Sequence, residues 1–367
     1  MISGTGSPLY QPVALDYKTL AATAYTAYEK RYPAVYRGFD ARQQARCRED
    51  FSFHLRYLGE ALAIGDAAIF VDYARWAQVL LVSRHLPPDC LASSLDVLNR
   101  VLNENLPPGI RVRTGAILTE AITALATAST TVPSFFTEGD PLDQEAREYL
   151  RALIAADRAR ARALVMALVE QDTPLRDIYL HLIQPVLYEV GRLWQVQQIT
   201  VAQEHYITAA TQQILAQLYL PVAREVKRAN RRGRTLVAAC AGHELHEVGI
   251  RMVADFFEMD GWDTYYTGAN TPVESIVKMV ADERASAVAL SSTMCYHIPH
   301  LHRLILSLRD DRETASVKIL VGGYPFNLVH GLWQKIGADA CATSAQDAVR
   351  AVNWMMDEEG LNRHAPR

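Results

Sequence analysis

The chain changes its hydrophobic period near residue 234, and this change constrains the fold more than any other feature. Beyond it come five short segments of β-branched or small residues, namely 235–240 (TLVAAC), 263–268 (DTYYTG), 287–293 (AVALSST), 318–323 (KILVGG) and 340–344 (ACATS). A helical stretch follows each of the first four. Strands that alternate with helices at this spacing predict a Rossmann-like, doubly wound parallel sheet. The ligand crevice of such a sheet lies beyond the carboxyl ends of its strands.

The residues before this change have helical periodicity. In the first region, apolar side chains recur at helical spacing in 51–62, 70–81 and 91–102, which predicts five or six packed helices in a globin-like or bundle-like domain. A second region, 143–229, predicts four more helices joined by short connections, as in an antiparallel four-helix bundle. One of them begins at a capping box formed by Thr200 and Gln203.

Two shifts in composition divide the chain into domains. The first is the linker-like stretch Ser129–Asp140, and the second is the basic run 223–234 (AREVKRANRRGR). We therefore expect a multi-domain α and α/β protein with an all-helical, sensor-like domain at 1–138. A four-helix bundle at 139–230 and the Rossmann-like domain at 231–367 follow it.

Composition excludes several classes of function. The 37 Lys and Arg residues against 41 Asp and Glu residues give a formal charge of −4, so nucleic acid is not an expected partner. No apolar stretch is long enough to cross a membrane, and the polar first residues lack a signal peptide. The five scattered cysteines form no Cys-x-x-Cys pair, which argues against disulfides and structural zinc. We expect a cytoplasmic protein with reduced thiols.

The loop after the first predicted strand carries a candidate metal ligand. His246 lies there, just before a helix, and Glu244 precedes it by two residues. A carboxylate at this position can accept a proton from one ring nitrogen and leave the other as a ligand, which is the support that a metal-binding imidazole needs. Gly249 removes a side chain near the first turn of the helix. We infer that another group approaches closely there.

Hydroxyls and bare backbone line the same predicted crevice. Forty-one residues separate Gly249 from Ser291, and we place Ser291 and Thr293 at the end of the third strand. Twenty-eight residues separate Thr293 from Gly322-Gly323, at the end of the fourth. These elements belong to one edge of the sheet because the carboxyl ends of parallel strands meet there.

At these separations the elements resemble the cobalamin-binding signature Asp-x-His-x-x-Gly, Ser-x-Leu and Gly-Gly. Two positions depart from it, since Glu244 replaces the Asp and Thr293 replaces the Leu. The resemblance covers residues 234–357. It implies that His246 is the lower axial ligand of the cobalt in place of the cofactor's own benzimidazole. The nucleotide tail of the cofactor would enter the sheet near Ser291, Thr293 and the two glycines.

The predicted bundle carries a second constellation. Trp194 closes one helix, and Glu204 and His205 lie in the first turns of the next. The turn between the two helices brings these side chains toward one patch. This arrangement resembles that of the CarH-type photoreceptors, which bind adenosylcobalamin. The resemblance implies that Trp194 packs on the adenosyl group, that Glu204 helps to hold it and that His205 is a second cobalt ligand after light breaks the cobalt–carbon bond.

The first region is rich in aromatic residues with cations among them, which suits a pocket for a flat apolar molecule bearing carboxylates. The order of domains and the look of the stretch 51–76 are similar to the photocobilins, which imply biliverdin as a second chromophore. The candidate ligands are His54, Arg56, Tyr57, Trp76, Arg84 and His85. Heme ligation through His54 or His85, and a protein-interaction module, are the alternatives.

These resemblances imply a cobalamin-dependent light receptor. We do not expect an enzyme, because no substrate domain accompanies the cofactor modules. Its cofactors would be adenosylcobalamin and, in the first domain, biliverdin. Its output would pass through a light-dependent homo-oligomeric state or a downstream partner protein. Two other interpretations stay open. One is a corrinoid carrier that delivers methyl groups to partner methyltransferases, and the other is a light-independent cobalamin or heme sensor.

Overall fold

A computed structural model describes residues 10–228 and 232–364, and in it the chain divides into two units. The first unit runs up to Thr131 and takes in two later segments, Met294–Pro299 and Tyr324–Ile336. The second unit comprises Val132–Thr293, His300–Gly323 and the chain from Gly337. Residues 1–9 and 365–367 lie outside the described part, and so do residues 229–231, where the sequence predicts a domain limit.

Eighteen α-helices lie within the described ranges. Those before the sheet are α1 (Tyr17–Arg31), α2 (Pro33–Arg37), α3 (Ala41–Ile64), α4 (Ala68–Ser83), α5 (Cys90–Asn105), α6 (Pro108–Leu125), α7 (Asp143–Ile154), α8 (Arg158–Glu170), α9 (Leu175–Asp177), α10 (Gln184–Gln195), α11 (Val201–Gln217) and α12 (Tyr219–Arg228). Those within the sheet region are α13 (Val248–Met259), α14 (Val273–Asp282), α15 (Ile298–Asp310), α16 (Tyr324–Leu328), α17 (Leu332–Lys335) and α18 (Ala345–His364).

The first unit is helical, as predicted, and it contains α1–α6. Helix α3 begins at a full capping box of Asp40 and Gln43 and ends at Gly65, whose φ of 74° lies in the left-handed region. The predicted apolar stripes form the core, where for example Leu55, Leu58 and Leu95 are fully buried.

Two segments from the sheet region belong to this unit. Tyr296 lies in a 3₁₀ turn (Cys295–His297), and its ring packs edge-on against Tyr57 with a centroid distance of 5.5 Å. The hydroxyl of Tyr324 in α16 donates to both carboxylate oxygens of Asp72, at 2.9 Å each. The Nζ of Lys335 donates to the carbonyl of Ile64 at 2.9 Å. Hydrogen bonds and ring contacts therefore bind these late segments to α3 and α4.

The second unit begins with the predicted helical bundle of α7, α8, α9–α10 and α11. A π-helical turn (Ile178–Ile183) joins α9 to α10. The predicted capping box of Thr200 and Gln203 is confirmed, since both of its reciprocal hydrogen bonds are present. The structure adds α12, which the sequence reasoning did not separate from α11. Pro221 explains the break, because it has no backbone N–H to donate to the carbonyl of residue 217.

The bundle packs on a sheet of five parallel strands in the order β2-β1-β3-β4-β5. The strands are β1 (Thr235–Cys240), β2 (Asp263–Gly268), β3 (Ala287–Ser291), β4 (Lys318–Gly322) and β5 (Ala340–Ala342). The Rossmann-like prediction is confirmed, although β3 ends at Ser291 rather than at Thr293. The strand order reverses between β1 and β3, where doubly wound sheets bind their ligands.

No helix in residues 10–228 or 232–364 combines the length and the apolar character that a membrane crossing needs. All five cysteines lie in these ranges, and none is in a disulfide, as the sequence predicts.

Candidate functional site

The loop between β1 and α13 places His246 at the switch point of the sheet. The ring nitrogen Nδ1 of His246 lies 2.5 Å from Oε1 of Glu244. The carboxylate is completely buried, whereas the imidazole is 59% exposed. The hydrogen bond to Glu244, followed by the charges of Glu244 and Glu204, raises the pKa of His246. The predicted pairing is therefore present, and Nε2 is the nitrogen left to face a ligand.

Backbone amides fix the Glu244 carboxylate. Oε1 accepts hydrogen bonds from the backbone N–H groups of Leu245 and His246, at 3.0 and 3.1 Å. Oε2 accepts from the backbone N–H of Thr293 at 2.8 Å. Thr293 thus contributes through its main chain, which no side-chain motif could indicate. The bond connects the β3 loop to the residue that orients His246.

The glycines of the signature have two different roles. A Cβ placed on Gly249 would meet nothing within 4 Å, so the first turn of α13 offers open space beside the His246 loop. A Cβ on Gly323 would lie 2.0 Å from the carbonyl oxygen of Ser292, and one on Gly322 would lie 3.2 Å from that of Ala342. Gly249 leaves room for a bound group, while the Gly-Gly pair lets backbone segments of the sheet approach each other.

Trp194, Glu204 and His205 lie at the adjoining ends of α10 and α11, as the sequence predicts. Trp194 is partly buried against the core of the second unit. The Nδ1 of His205 lies 2.5 Å from Oε2 of Glu204, and the hydroxyl of Thr208 donates to Oε1 at 3.0 Å. The imidazole of His205 is 75% exposed. The negative charge of Glu204 contributes to the raised pKa of His246, so Glu204 lies within electrostatic range of that ring.

The six predicted bilin ligands occupy different environments in the first unit. His54 is 3% exposed, with Nδ1 at 2.8 Å from the hydroxyl of Tyr73, and burial lowers its pKa to about 4. Tyr57 stacks on the same Tyr73 ring at a centroid distance of 3.9 Å. The structure brings these two together. The remaining four are exposed or partly exposed: Arg56, Trp76, Arg84 and His85.

One polar group near these residues escaped the sequence reasoning. Asp50 lies one turn before His54 on α3, and burial raises its pKa to about 6. The Nε of Arg84 is buried with no hydrogen-bond partner, and the charge of Asp50 acts on that guanidinium. An electrostatic interaction between residues 34 positions apart has no local sequence signal.

Comparison with protein families shows matches to B12-binding domains in the second unit. Residues 234–353 match the B12 binding domain, and residues 145–219 match a second family model that is also described as a B12 binding domain. The chain contains B12-binding domains. Within the described ranges, no three His, Cys, Asp or Glu side chains could hold a metal ion by themselves.

Several relatives of this B12-binding chain are corrinoid proteins. The dimethylamine corrinoid protein 1 of Methanosarcina acetivorans is 26% identical over 29% of this chain and 49% of its own length. The protein of the same name from Methanosarcina mazei is 24% identical over 45% of this chain and 71% of its own length. The chain thus spans about half of the first relative.

One solved structure shares the fold of this region. The monomethylamine corrinoid protein of Methanosarcina barkeri superimposes with a TM-score of 0.50 at 20% identity, covering 57% of this chain and 98% of that protein.

The residues of the site fit a cobalamin. His246 presents Nε2 from a half-exposed ring whose orientation Glu244 fixes. Gly249 leaves open space where a side chain would otherwise project. A structural histidine would not need both a buried carboxylate partner and an accessible second nitrogen.

Proposed function

We propose that the chain is a cobalamin-dependent light receptor that holds adenosylcobalamin between His246 of the sheet domain and the α10–α11 end of the bundle. One observation carries this proposal. Two exposed imidazoles of the second unit, those of His205 and His246, each have Nδ1 2.5 Å from a neighbouring carboxylate. A histidine oriented in this way is prepared to bind a metal through Nε2. The two lie on different elements, and the charge of Glu204 next to His205 acts on His246.

The roles of the individual side chains follow from their positions. His246 would hold the cobalt from the sheet side, with Glu244 fixing the tautomer of the ring. Trp194 would cover the upper ligand and exclude water, and Glu204 would accept a hydrogen bond from a ribose hydroxyl. When bound, adenosylcobalamin supplies a cobalt–carbon bond that light cleaves. His205 would supply a second imidazole to the cofactor, and its engagement would displace the bundle.

Absorption spectra test this proposal. We expect the wild-type protein loaded with adenosylcobalamin in the dark to change on illumination to a stable bis-histidine spectrum. The variant His205→Ala should give a different, aquated product. His330→Ala, which removes another exposed imidazole, should behave like the wild type. An identical product from wild type and His205→Ala would exclude the light-receptor proposal.

We also propose that light changes the oligomeric state of the protein. If displacement of the bundle changes a homo-oligomer, the elution volume in size-exclusion chromatography should differ between dark and illuminated protein. His205→Ala should abolish that difference. An unchanged elution volume in wild type would instead direct the search to a downstream partner protein.

A corrinoid carrier is the second candidate function, and the relatives favour it over light sensing. The relatives described above are dimethylamine corrinoid proteins. A carrier would bind methylcobalamin in the same site and present it to a partner methyltransferase, without needing His205. Comparable dark affinity for methylcobalamin in wild type and His205→Ala, combined with no light response, would support the carrier. In both functions the chain binds a cofactor and does not itself turn over a substrate.

For the first unit we propose biliverdin as the ligand, in contact with the aromatic group of His54, Tyr57 and Tyr73. The partly exposed guanidinium of Arg84 would bind a carboxylate of the ligand. Replacing His54 and Arg84 should abolish the spectral shift that binding to the protein causes in added biliverdin. Unchanged spectra would exclude these two residues as ligands, and a Soret band in the purified protein would indicate heme instead.

A further inference from the structure

One partly buried face of α11 carries polar residues at intervals of four. Glu204, Thr208 and Gln212 follow one another at this spacing, which places them on one face of the helix. Thr208 donates to Glu204 at 3.0 Å. Two turns along, the Nε2 of Gln212 donates to Oε1 of Glu247 at 2.9 Å. This bond therefore turns the face that carries Glu204 toward the sheet.

Glu247 adjoins His246 in the chain, and its carboxylate is held on both sides. Oε1 accepts from Gln212 of the bundle. Oε2 accepts from the hydroxyl of Tyr266 at 3.0 Å and from the backbone N–H of Ala269 at 2.9 Å, both at the end of β2. A Cβ on Gly268 would lie 3.1 Å from this oxygen. The carboxylate thus joins α11 to β2 through the residue next to the candidate cobalt ligand.

A second contact restricts the rotation of α11. Arg251, one turn after Glu247 at the start of α13, donates from Nη1 to the backbone carbonyl of Gln212 at 3.4 Å. Residues 247 and 251 therefore hold both the side chain and the main chain of one residue of α11. Rotation of α11 about its axis would break at least one of these contacts.

We propose that Glu247 is a positioning residue that ties the orientation of α11 to the loop that bears His246. Helix α11 and the His246 loop, which would face opposite sides of the corrin ring, are thereby held in a fixed relative orientation. This role rests on the cobalamin site of the proposed function. Through Gln212, a shift of the Glu204–His205 end of α11 reaches the loop of His246. Tyr266 and Ala269 hold the Glu247 carboxylate at the end of β2. A movement of α11 is therefore transmitted to the loop that bears His246.

Hydrogen–deuterium exchange on the full-length protein without cofactor tests the tie directly. Gln212→Leu removes the bundle side of the connection and should raise the exchange rate of the amides in residues 244–247 about tenfold, the loss expected for one hydrogen bond to a charged group. Gln213→Leu makes the same chemical change on the adjacent, exposed position and should leave those rates as in the wild type. Equal exchange rates in the two variants would overturn the proposal.

Dark titration with hydroxocobalamin gives the second measurement. Gln212→Leu should weaken binding about tenfold and reduce the spectral signature of His246 ligation. In the Glu247→Ala background the same substitution should have no additional effect, because coupling between two residues disappears once either partner is gone. Additive losses would show that Gln212 acts independently of Glu247.

A conservative variant separates positioning from folding. Glu247→Gln keeps an acceptor for Tyr266 and Ala269, and the amide of Gln212 can rotate to accept from it, so loop exchange should stay near the wild-type rate. A tenfold rise in Glu247→Gln would contradict the geometry proposed here. None of these measurements uses light. If the variants show these effects but the protein gives no light response, the role of Glu247 stands and the light-receptor function is excluded.

Discussion

Gly323 lies directly against the carbonyl of Ser292, so closely that a Cβ at this position would stand 2.0 Å from the carbonyl oxygen. Its φ of 104° is also one that L side chains rarely adopt. The backbone N–H of Ser292 donates to the carbonyl of Gly322 at 3.1 Å. The second glycine of the Gly-Gly pair is thus required by the contact between the β3 and β4 loops, whatever ligand the crevice holds.

Gly323→Ala should therefore lower the free energy of unfolding by about 3 kcal/mol or more, because the methyl overlaps backbone that cannot rotate away. Chemical denaturation followed by circular dichroism measures this loss. Gly249→Ala is the matched control, since its Cβ would meet open space. It should change stability by no more than about 1 kcal/mol.

Gly249→Ala should instead lower the affinity for cobalamin. A methyl at position 249 takes up space beside the His246 loop, so we expect cobalamin affinity to fall about tenfold, equivalent to about 1.4 kcal/mol. Unaltered affinity in Gly249→Ala would show that the cofactor does not approach this turn of α13.

The sequence predicted where the candidate residues lie better than it predicted the contacts between them. His246 and Glu244 could be paired from sequence because they are two positions apart at a strand end. The tie from Gln212 to Glu247 spans 35 positions and depends on the packing of α11 against α13, which no local pattern records. Thr293 acts through its backbone N–H, so its residue type gave no signal.

For the fold too, local sequence patterns were predictive and long-range contacts were not. Period and turn residues were enough to predict the helical first unit, the bundle and the parallel sheet. They could not predict that Met294–Pro299 and Tyr324–Ile336, which follow β3 and β4, belong to the first unit. That assignment rests on individual contacts, such as the hydrogen bonds of Tyr324 to Asp72.

Removal of the Glu244 carboxylate should weaken cobalamin binding. Glu244→Gln replaces a strong acceptor for the Nδ1–H of His246 with a neutral amide, so the ring loses both orientation and basicity. Loss of such a partner typically costs 10–100-fold in metal affinity, and we expect a decrease of that size in titrations with hydroxocobalamin. Glu313→Gln, at an exposed position in the same unit, should bind like the wild type. If both variants bind equally well, Glu244 does not support a metal ligand.

The hydroxyl of Tyr324 should stabilise the first unit. It donates to both oxygens of Asp72, whose pKa is raised by burial. Tyr324→Phe leaves that carboxylate without this donor and should cost about 1–2 kcal/mol of unfolding free energy. Tyr219→Phe, on a side chain that is 61% exposed in the other unit, should be neutral within about 0.5 kcal/mol. A neutral Tyr324→Phe would mean that water replaces the hydroxyl at no cost.

The buried carboxyl of Glu60 should make the stability of the first unit depend on pH. Glu60 is 7% exposed and accepts a hydrogen bond from the Tyr10 hydroxyl at 2.9 Å, and burial raises its pKa from 4.5 to about 7. A carboxyl with a raised pKa binds more protons in the folded state than in the unfolded state between these values. Its contribution is therefore complete below pH 4.5 and is lost as the pH rises through about 7.

Glu60→Gln keeps an acceptor for Tyr10 but cannot ionise. The difference in unfolding free energy between the variant and the wild type should therefore grow in favour of the variant by about 3 kcal/mol from pH 4.5 to pH 8. Thermal unfolding of the full chain at several pH values measures this difference. Glu29→Gln, on an exposed position of α1, should show no such trend. A difference that stays constant with pH would mean that Glu60 reaches water in the folded protein and ionises as it does in the unfolded chain.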